Sequence, residues 1–232
     1  MKKHLTAAGL ALRLTFAGVA VLLAVTAALQ WAVFLHDRAQ FLSKGFEWLL
    51  DERGCRLIGL LGQWAILGWC LFRCGSSGTQ ATLRRLGIRD GMLTALWGLV
   101  FTGYYLLAWA VQLVTVLGLY RVYAQTVPVQ SIDLLVAAYR SHYFHSLLPL
   151  AEGLTWLRSG LLCLTMGSMT AMTARQLRMG SKPWLLLGPA FLTLFLPRQM
   201  GQTGTEITLC VLLAVCLAGQ LLVNREVARN ED

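Results

Sequence analysis

"LTFAGVAVLLAVTAALQWAVFL", residues 14–35, runs for 22 positions without a charge. About 20 consecutive apolar residues cross the hydrocarbon core of a bilayer as one helix, so this stretch reads as a membrane span. The whole chain agrees with it. Of its 232 residues 56% are hydrophobic and only 13% are charged, roughly half the ~25% typical of a soluble domain. A soluble fold of this length cannot cover its surface with so few charges. The start, "MKKH", is that of a signal peptide, but the apolar region continues to about His36. That exceeds the roughly 7–15 residues of a signal core, and no convincing cleavage site follows. The segment therefore reads as a retained first span.

On the same criterion six transmembrane helices are expected, at about 14–35, 55–72, 92–120, 154–174, 184–197 and 207–223. The fifth is short and carries Pro189, which suits a kinked or partly re-entrant segment. The expected fold is an all-α integral membrane protein, one polytopic domain over 1–232. Lys and Arg set its orientation. With the amino terminus in the cytoplasm, 12 of the 20 fall inside, among them Lys2, Lys3, Arg73, Arg84, Arg85, Arg89, Arg175 and Arg178, against 8 outside. Both termini are then cytoplasmic. Two further stretches, 41–54 and 130–153, mix apolar and charged residues at helical spacing and read as amphipathic interfacial helices on the outer side. The second is the larger and suits a helix packed on the rim of the bundle.

The formal net charge of +9 does not point to nucleic acid. The basic residues recur at the ends of apolar segments, against membrane lipid headgroups, rather than in one stripe with stacking aromatics. Six cysteines lie mostly inside apolar runs with no C-x-x-C pair, which makes them small buried residues rather than a redox set. No metal or other cofactor is expected.

Few side chains suggest chemistry. His142 and His145 stand at i, i+3 with Glu152 beyond, a spacing that can ligate zinc. Tyr143 and Phe144 between them suit an aromatic belt better. An intramembrane enzyme built on these three is therefore a minor alternative. Glu152 and Arg158 bracket the outer end of the fourth span. They are six apart, too far for a direct pair on one helix, so Arg158 either meets another helix or anchors the span. Gln30, Gln63, Gln112 and Gln220 lie in or near spans, where amides hydrogen-bond between helices. Glu152, Arg158 and Gln112 are the candidates for a substrate path. The small-residue run "MGSMTAMTA" (166–174) suits close helix packing. No G-x-S-x-G, H-E-x-x-H or G-x-x-x-x-G-K-[ST] is present, so neither catalysis nor ATP hydrolysis by a P-loop is expected of this chain.

One polar insert stands out between the second and third spans. In the loop 73–91, "GTQATLRRLGIRDG" (78–91) places Arg84, Arg85 and Arg89 within six positions. Thr79 or Ser77 can cap a short helix there, Leu83, Leu86 and Ile88 give it an apolar edge, and Asp90 can cap the next span. Through Gly78, Thr79, Leu83, Leu86, Gly87, Ile88 and Arg89 the loop resembles that of the permease subunits of bacterial ABC-2-type exporters. It departs from the family's pattern in having Ser76 and Ser77 where an acidic residue often precedes Gly-Thr, and Gly87 where a Pro is common. The resemblance implies a coupling helix seated in a separate ATP-binding subunit. Leu83, Leu86 and Ile88 would insert into it while Arg84, Arg85 and Arg89 meet its acidic rim, with Thr79 completing the coupling set. It also implies six spans, a homo- or heterodimer of permease subunits, and a multi-pass place in the bacterial cytoplasmic membrane. Two alternatives remain. One is the substrate-binding membrane subunit of an energy-coupling-factor importer, whose small-xxx-small docking faces Ala7, Ala11, Ala24 and Ala28 weakly match. The other is a non-transporting accessory or immunity protein.

Overall fold

The computed structural model describes residues 2–37, 45–76, 90–126, 134–149, 153–195 and 203–230. Its elements are α1 (Lys2–His36), α2 (Phe46–Asp51), α3 (Cys55–Cys74), α4 (Asp90–Thr126), α5 (Leu134–Arg140), α6 (His142–Leu147), α7 (Gly153–Arg178), α8 (Leu187–Leu192) and α9 (Thr203–Asn230). A 3-10 turn, Trp184–Leu186, precedes α8. No strand occurs among the described residues.

Four segments among these are long and apolar enough to cross a bilayer: Thr6–His36, Phe46–Cys74, Asp90–Thr126 and Thr203–Val223. The chain is thus built as a multi-pass membrane protein. At 1.5 Å per residue the 37 residues of α4 span about 55 Å. That is longer than the 92–120 expected and exceeds the ~40–45 Å bilayer with its headgroups.

The expected fourth and fifth spans turn out differently. Residues 154–174 do lie in one helix, α7, whose 26 residues reach about 39 Å. Yet α7 does not qualify by apolarity, because Thr155, Arg158, Ser159, Thr165, Thr170 and Thr173 lie along it. All six are buried. The helix is mostly buried in the bundle, although Trp156 and Leu157 near its start are exposed. Of the expected span 184–197, the described residues 184–195 form no continuous spanning helix. The 3-10 turn and the six residues of α8 give one short helical piece, with Pro189 in its first turn where a missing N–H costs nothing.

Contacts fix the direction of each long helix. Thr15 meets Tyr104 at 2.8 Å, and the Trp97 indole donates to the Ala7 carbonyl at 3.1 Å, so α1 and α4 run parallel. Arg73 reaches the Leu14 carbonyl and Gln30 the Cys55 carbonyl, so α3 runs against α1. Trp109 stacks edge-on against Trp156, while the Arg178 guanidinium lies over Trp97, so α7 runs against α4. Helix α9 meets α7 twice, Glu206 with Arg158 and Gln220 with Ser168. The two are therefore parallel.

Parallel neighbours need a return between them. From the end of α7 the chain turns through a Schellman cap. Gly180, at φ 70°, donates to Leu177 and Ser181 donates to Gln176, the left-handed stop that favours glycine. The return then climbs the bundle at mid-height: Gly188 abuts Met169 halfway along α7, and the Trp64 indole donates to the Thr193 hydroxyl at 2.5 Å. Leu192 and Phe195 pack with Leu161 and Leu162, nearer the start of α7.

Two ends can now be distinguished. At the basic end lie Arg73, Arg175 and Arg178; Arg73 sits over Trp69 and Arg178 over Trp97. At the other, α2, α5 and α6 form a cap over the bundle. In α2, Phe46, Leu49 and Leu50 are fully buried beside Phe34, Leu119 and Phe144. The apolar face of α2 therefore meets protein where an interfacial helix would meet lipid, while residues 41–44 of the expected helix lie outside the described residues. The rim helix expected in 130–153 appears as α5 and α6, docked on the same cluster. Between α4 and α7 the small residues pack closely as expected, Gly167 lying against Thr102 and Gly98 against the Ser168 backbone.

Candidate functional site

The coupling residues Thr79, Leu83, Arg84, Arg85, Leu86, Ile88 and Arg89 lie outside the described residues, as does Glu152. Their flanks are described. Ser76 follows the end of α3 and Asp90 begins α4, and both stand at the basic end. Within the bundle two polar constellations remain.

The first lies beneath the cap. Asp51, the last residue of α2, accepts from the backbone N–H of His142 at 3.0 Å and of Tyr143 at 2.9 Å. Ser141 caps the same helix by accepting from Phe144 N–H. The carboxylate and the hydroxyl satisfy donors that a helix start leaves open. So held, α6 aims the Tyr143 side chain into the bundle. Its hydroxyl donates to Gln112 Oε1 at 3.1 Å and accepts from Gln30 Nε2 at 3.2 Å. Gln30 Nε2 also donates to the Cys55 carbonyl, and Gln112 Nε2 to the Gly59 carbonyl at 3.1 Å. Residue 59 has to be glycine for this fit, since a Cβ there would lie 2.7 Å from the Tyr143 hydroxyl. Burial pushes that hydroxyl's pKa upward, against the opposing effect of the Gln30 hydrogen bond.

One turn toward the basic end, Thr26, Gln30, Gln63 and Gln112 line a narrow gap between α1, α3 and α4, together with apolar residues such as Leu23, Ile66 and Val111. It is too narrow to seat a water molecule. Gln30 Oε1 and Gln63 Oε1 are buried there without a hydrogen-bond partner among the described residues. The inter-helix role expected of Gln30 and Gln112 is present. As a candidate on a substrate path, Gln112 is engaged on both sides of its amide.

The second constellation joins α7 to α9. Arg158 Nη1 lies 2.6 Å from Glu206 Oε1, with side chains 0% and 6% exposed. Arg158 is thus committed to a helix contact, with Glu206 as its partner there. Ten residues further along α7, Ser168 donates to Gln220 Oε1. Glu206 escaped the sequence reading, although a signal was present: it is the single charge in 203–223, and a lone charge in a span wants a partner.

His142 and His145 are separated in role. His145 is buried, its ring 5.0 Å from that of Tyr139, while His142 caps on Asp51 through its backbone. No group of three metal-ligating side chains occurs among the described residues. Of the cysteines, Cys55, Cys70, Cys74, Cys163 and Cys210 are buried and Cys216 is exposed, all as free thiols. Ala7 and Ala11 are fully buried inside the chain, which leaves Ala24 and Ala28 of the importer-type docking pattern on an outward face.

No family model, curated protein or solved structure matches the chain. The functional reading therefore rests on the geometry and on the loop's own residues.

Proposed function

We propose that this chain is the membrane-embedded permease subunit of an ATP-driven exporter in the bacterial cytoplasmic membrane. A separate ATP-binding subunit docks on residues 79–89, and two permease subunits, alike or related, form the path. In this reading the chain crosses six times with both termini in the cytoplasm. The parallel course of α7 and α9 supports that count, because the chain has to return across the bundle between them, and the described residues 179–195 run in that direction.

One observation carries the coupling role. The two residues flanking the basic loop, Ser76 and Asp90, emerge at the same end as Arg73, Arg175 and Arg178. Helices α3 and α4 continue from there through the whole bundle. A force applied to the loop is thereby delivered to α4, which packs against both α1 and α7. Rigid helices transmit such displacements because packed interfaces shift between discrete arrangements.

The test is direct. Tagged chain purified from its native membrane is expected to carry ATP hydrolysis with it, and deleting residues 80–88 is expected to abolish that activity while thermal unfolding of the bundle stays unchanged. Hydrolysis that survives the deletion defeats the proposal.

A further inference from the structure

We infer that Tyr143 is a removable plug over an occluded, uncharged hydrogen-bonding site. Thr26, Gln30, Gln63 and Gln112 form that site, and it takes a neutral solute rich in N–H or O–H donors once the cap lifts. The inference rests on the transport reading, and adds to it the last site an exported solute occupies before it leaves at the cap end, and what kind of solute it is.

The residues and distances argue for a plug. Tyr143 belongs to α6, a six-residue helix outside the spanning segments, yet its hydroxyl reaches Gln30 on α1 and Gln112 on α4. A short cap helix thus ties together two spans that a stable bundle could join directly. Gly59 leaves a notch that the phenol fills. Behind the phenol the amides of Gln30 and Gln63 are already short of partners, with both oxygens buried and unbonded. A buried acceptor left unmet is costly, and a solute that donates hydrogen bonds would meet this pair.

Withdrawing Tyr143 frees Gln112 Oε1 as well. Gln30, Gln63, Gln112 and Thr26, whose hydroxyl donates to the Leu22 carbonyl, then line one gap with Leu23, Ile66 and Val111, and no charged residue lines it. That set favours a solute that donates hydrogen bonds. A charged solute would be desolvated there without a counter-charge, and an anion would meet acceptor oxygens besides. The matching class is an amide or a polyol.

Besides the buried apolar contacts of Phe46, Leu49, Leu50 and Phe144, the cap is held by polar contacts that can be undone. Arg53 pairs with Asp37 at 3.4 Å and Arg140 with Glu47 at 3.7 Å, both arginines being exposed. Asp51 provides the remaining tie, to the backbone of α6.

The experiment uses Gln63→Cys in the full chain, labelled with three methanethiosulfonates of similar size that are neutral, cationic or anionic. Mass spectrometry of the peptide containing residue 63 reads the labelling, so the native thiols can stay. Rates are normalised to a free thiol. With the plug in place labelling is slow. Adding Tyr143→Ala is expected to raise the rate at least tenfold for the neutral reagent and least for the anion. Tyr143→Phe keeps the ring but loses both hydroxyl bonds, and is expected to give an intermediate rise; it also serves should the alanine variant fail to fold. An unchanged rate in the folded variants overturns the plug, and fastest labelling by the anion overturns the solute class. Neither result bears on the loop at 79–89, because no ATPase is present. Loss of the ATPase contact would equally leave these rates as they are.

Discussion

Two joints inside this bundle do similar work with opposite chemistry. Between α7 and α9 a guanidinium and a carboxylate meet at 2.6 Å, both removed from solvent. Between α1, α3, α4 and α6 the groups are amides, a phenol and backbone carbonyls, none of them charged. Breaking the first leaves a bare charge where nothing solvates it. Breaking the second leaves neutral dipoles that find other partners at modest cost. The charged joint is therefore a permanent fastening, and the neutral one is the place where a bundle can open without coming apart.

That contrast is open to attack, and the largest effect is expected at Glu206. Glu206→Ala strands Arg158, and losing one partner of a buried pair costs about 3–5 kcal/mol, a large share of the ~5–15 kcal/mol that holds a protein folded. Thermal unfolding in detergent is expected to fall by about 10 °C, or the protein to stop accumulating. The exchange of both, Arg158→Glu with Glu206→Arg, is expected to recover much of the loss. A single variant as stable as the parent would remove the contrast altogether. Next comes Gln30→Leu, which deletes the bonds to Cys55 and Tyr143. Inter-helix hydrogen bonds in membranes average roughly 0.6–2 kcal/mol, so a loss of about 1 kcal/mol is expected in the same melt. The smallest effect belongs to Arg140→Ala. The Arg140–Glu47 pair is 61% and 33% exposed, and such pairs contribute below about 1 kcal/mol and are screened by salt. No measurable change in melting is expected at high salt.

Much of this was legible in the sequence, and the limits have a physical cause. Long uncharged runs mark bilayer depth because the solvent there punishes every charge, so α1, α3, α4 and α9 could be placed. The same logic ranked 154–174 as an ordinary span, although α7 meets protein on most sides and can carry six buried polar residues. Hydropathy reports how deep a residue lies and is silent on what it faces. Residues 184–197 looked like a short span because their composition is apolar, while the break into a 3-10 turn and α8 follows from local backbone chemistry at Pro183 and Pro189. Gln30, Gln112 and Gln220 were recognisable as inter-helix bonders, since an amide in a span has few other uses. Tyr143 was not, because its spacing to His142 and His145 suits a membrane belt, and only the Asp51 cap turns it inward. The partner of Arg158 lies 48 residues away, a separation over which local pattern carries no information.

That separation also orders the making of the protein. A ribosome delivers Arg158 well before Glu206 exists, and an arginine in a nascent span raises its cost of entering lipid, by about 2.5–3.5 kcal/mol at the helix centre and by less near the end where Arg158 lies. Helix α7, polar along its length, is a poor candidate to leave the insertion machinery alone. It has to wait until the chain has grown by those 48 residues. The last third of the protein then enters the bilayer as one unit, with the carboxylate of α9 arriving to release the helix made before it.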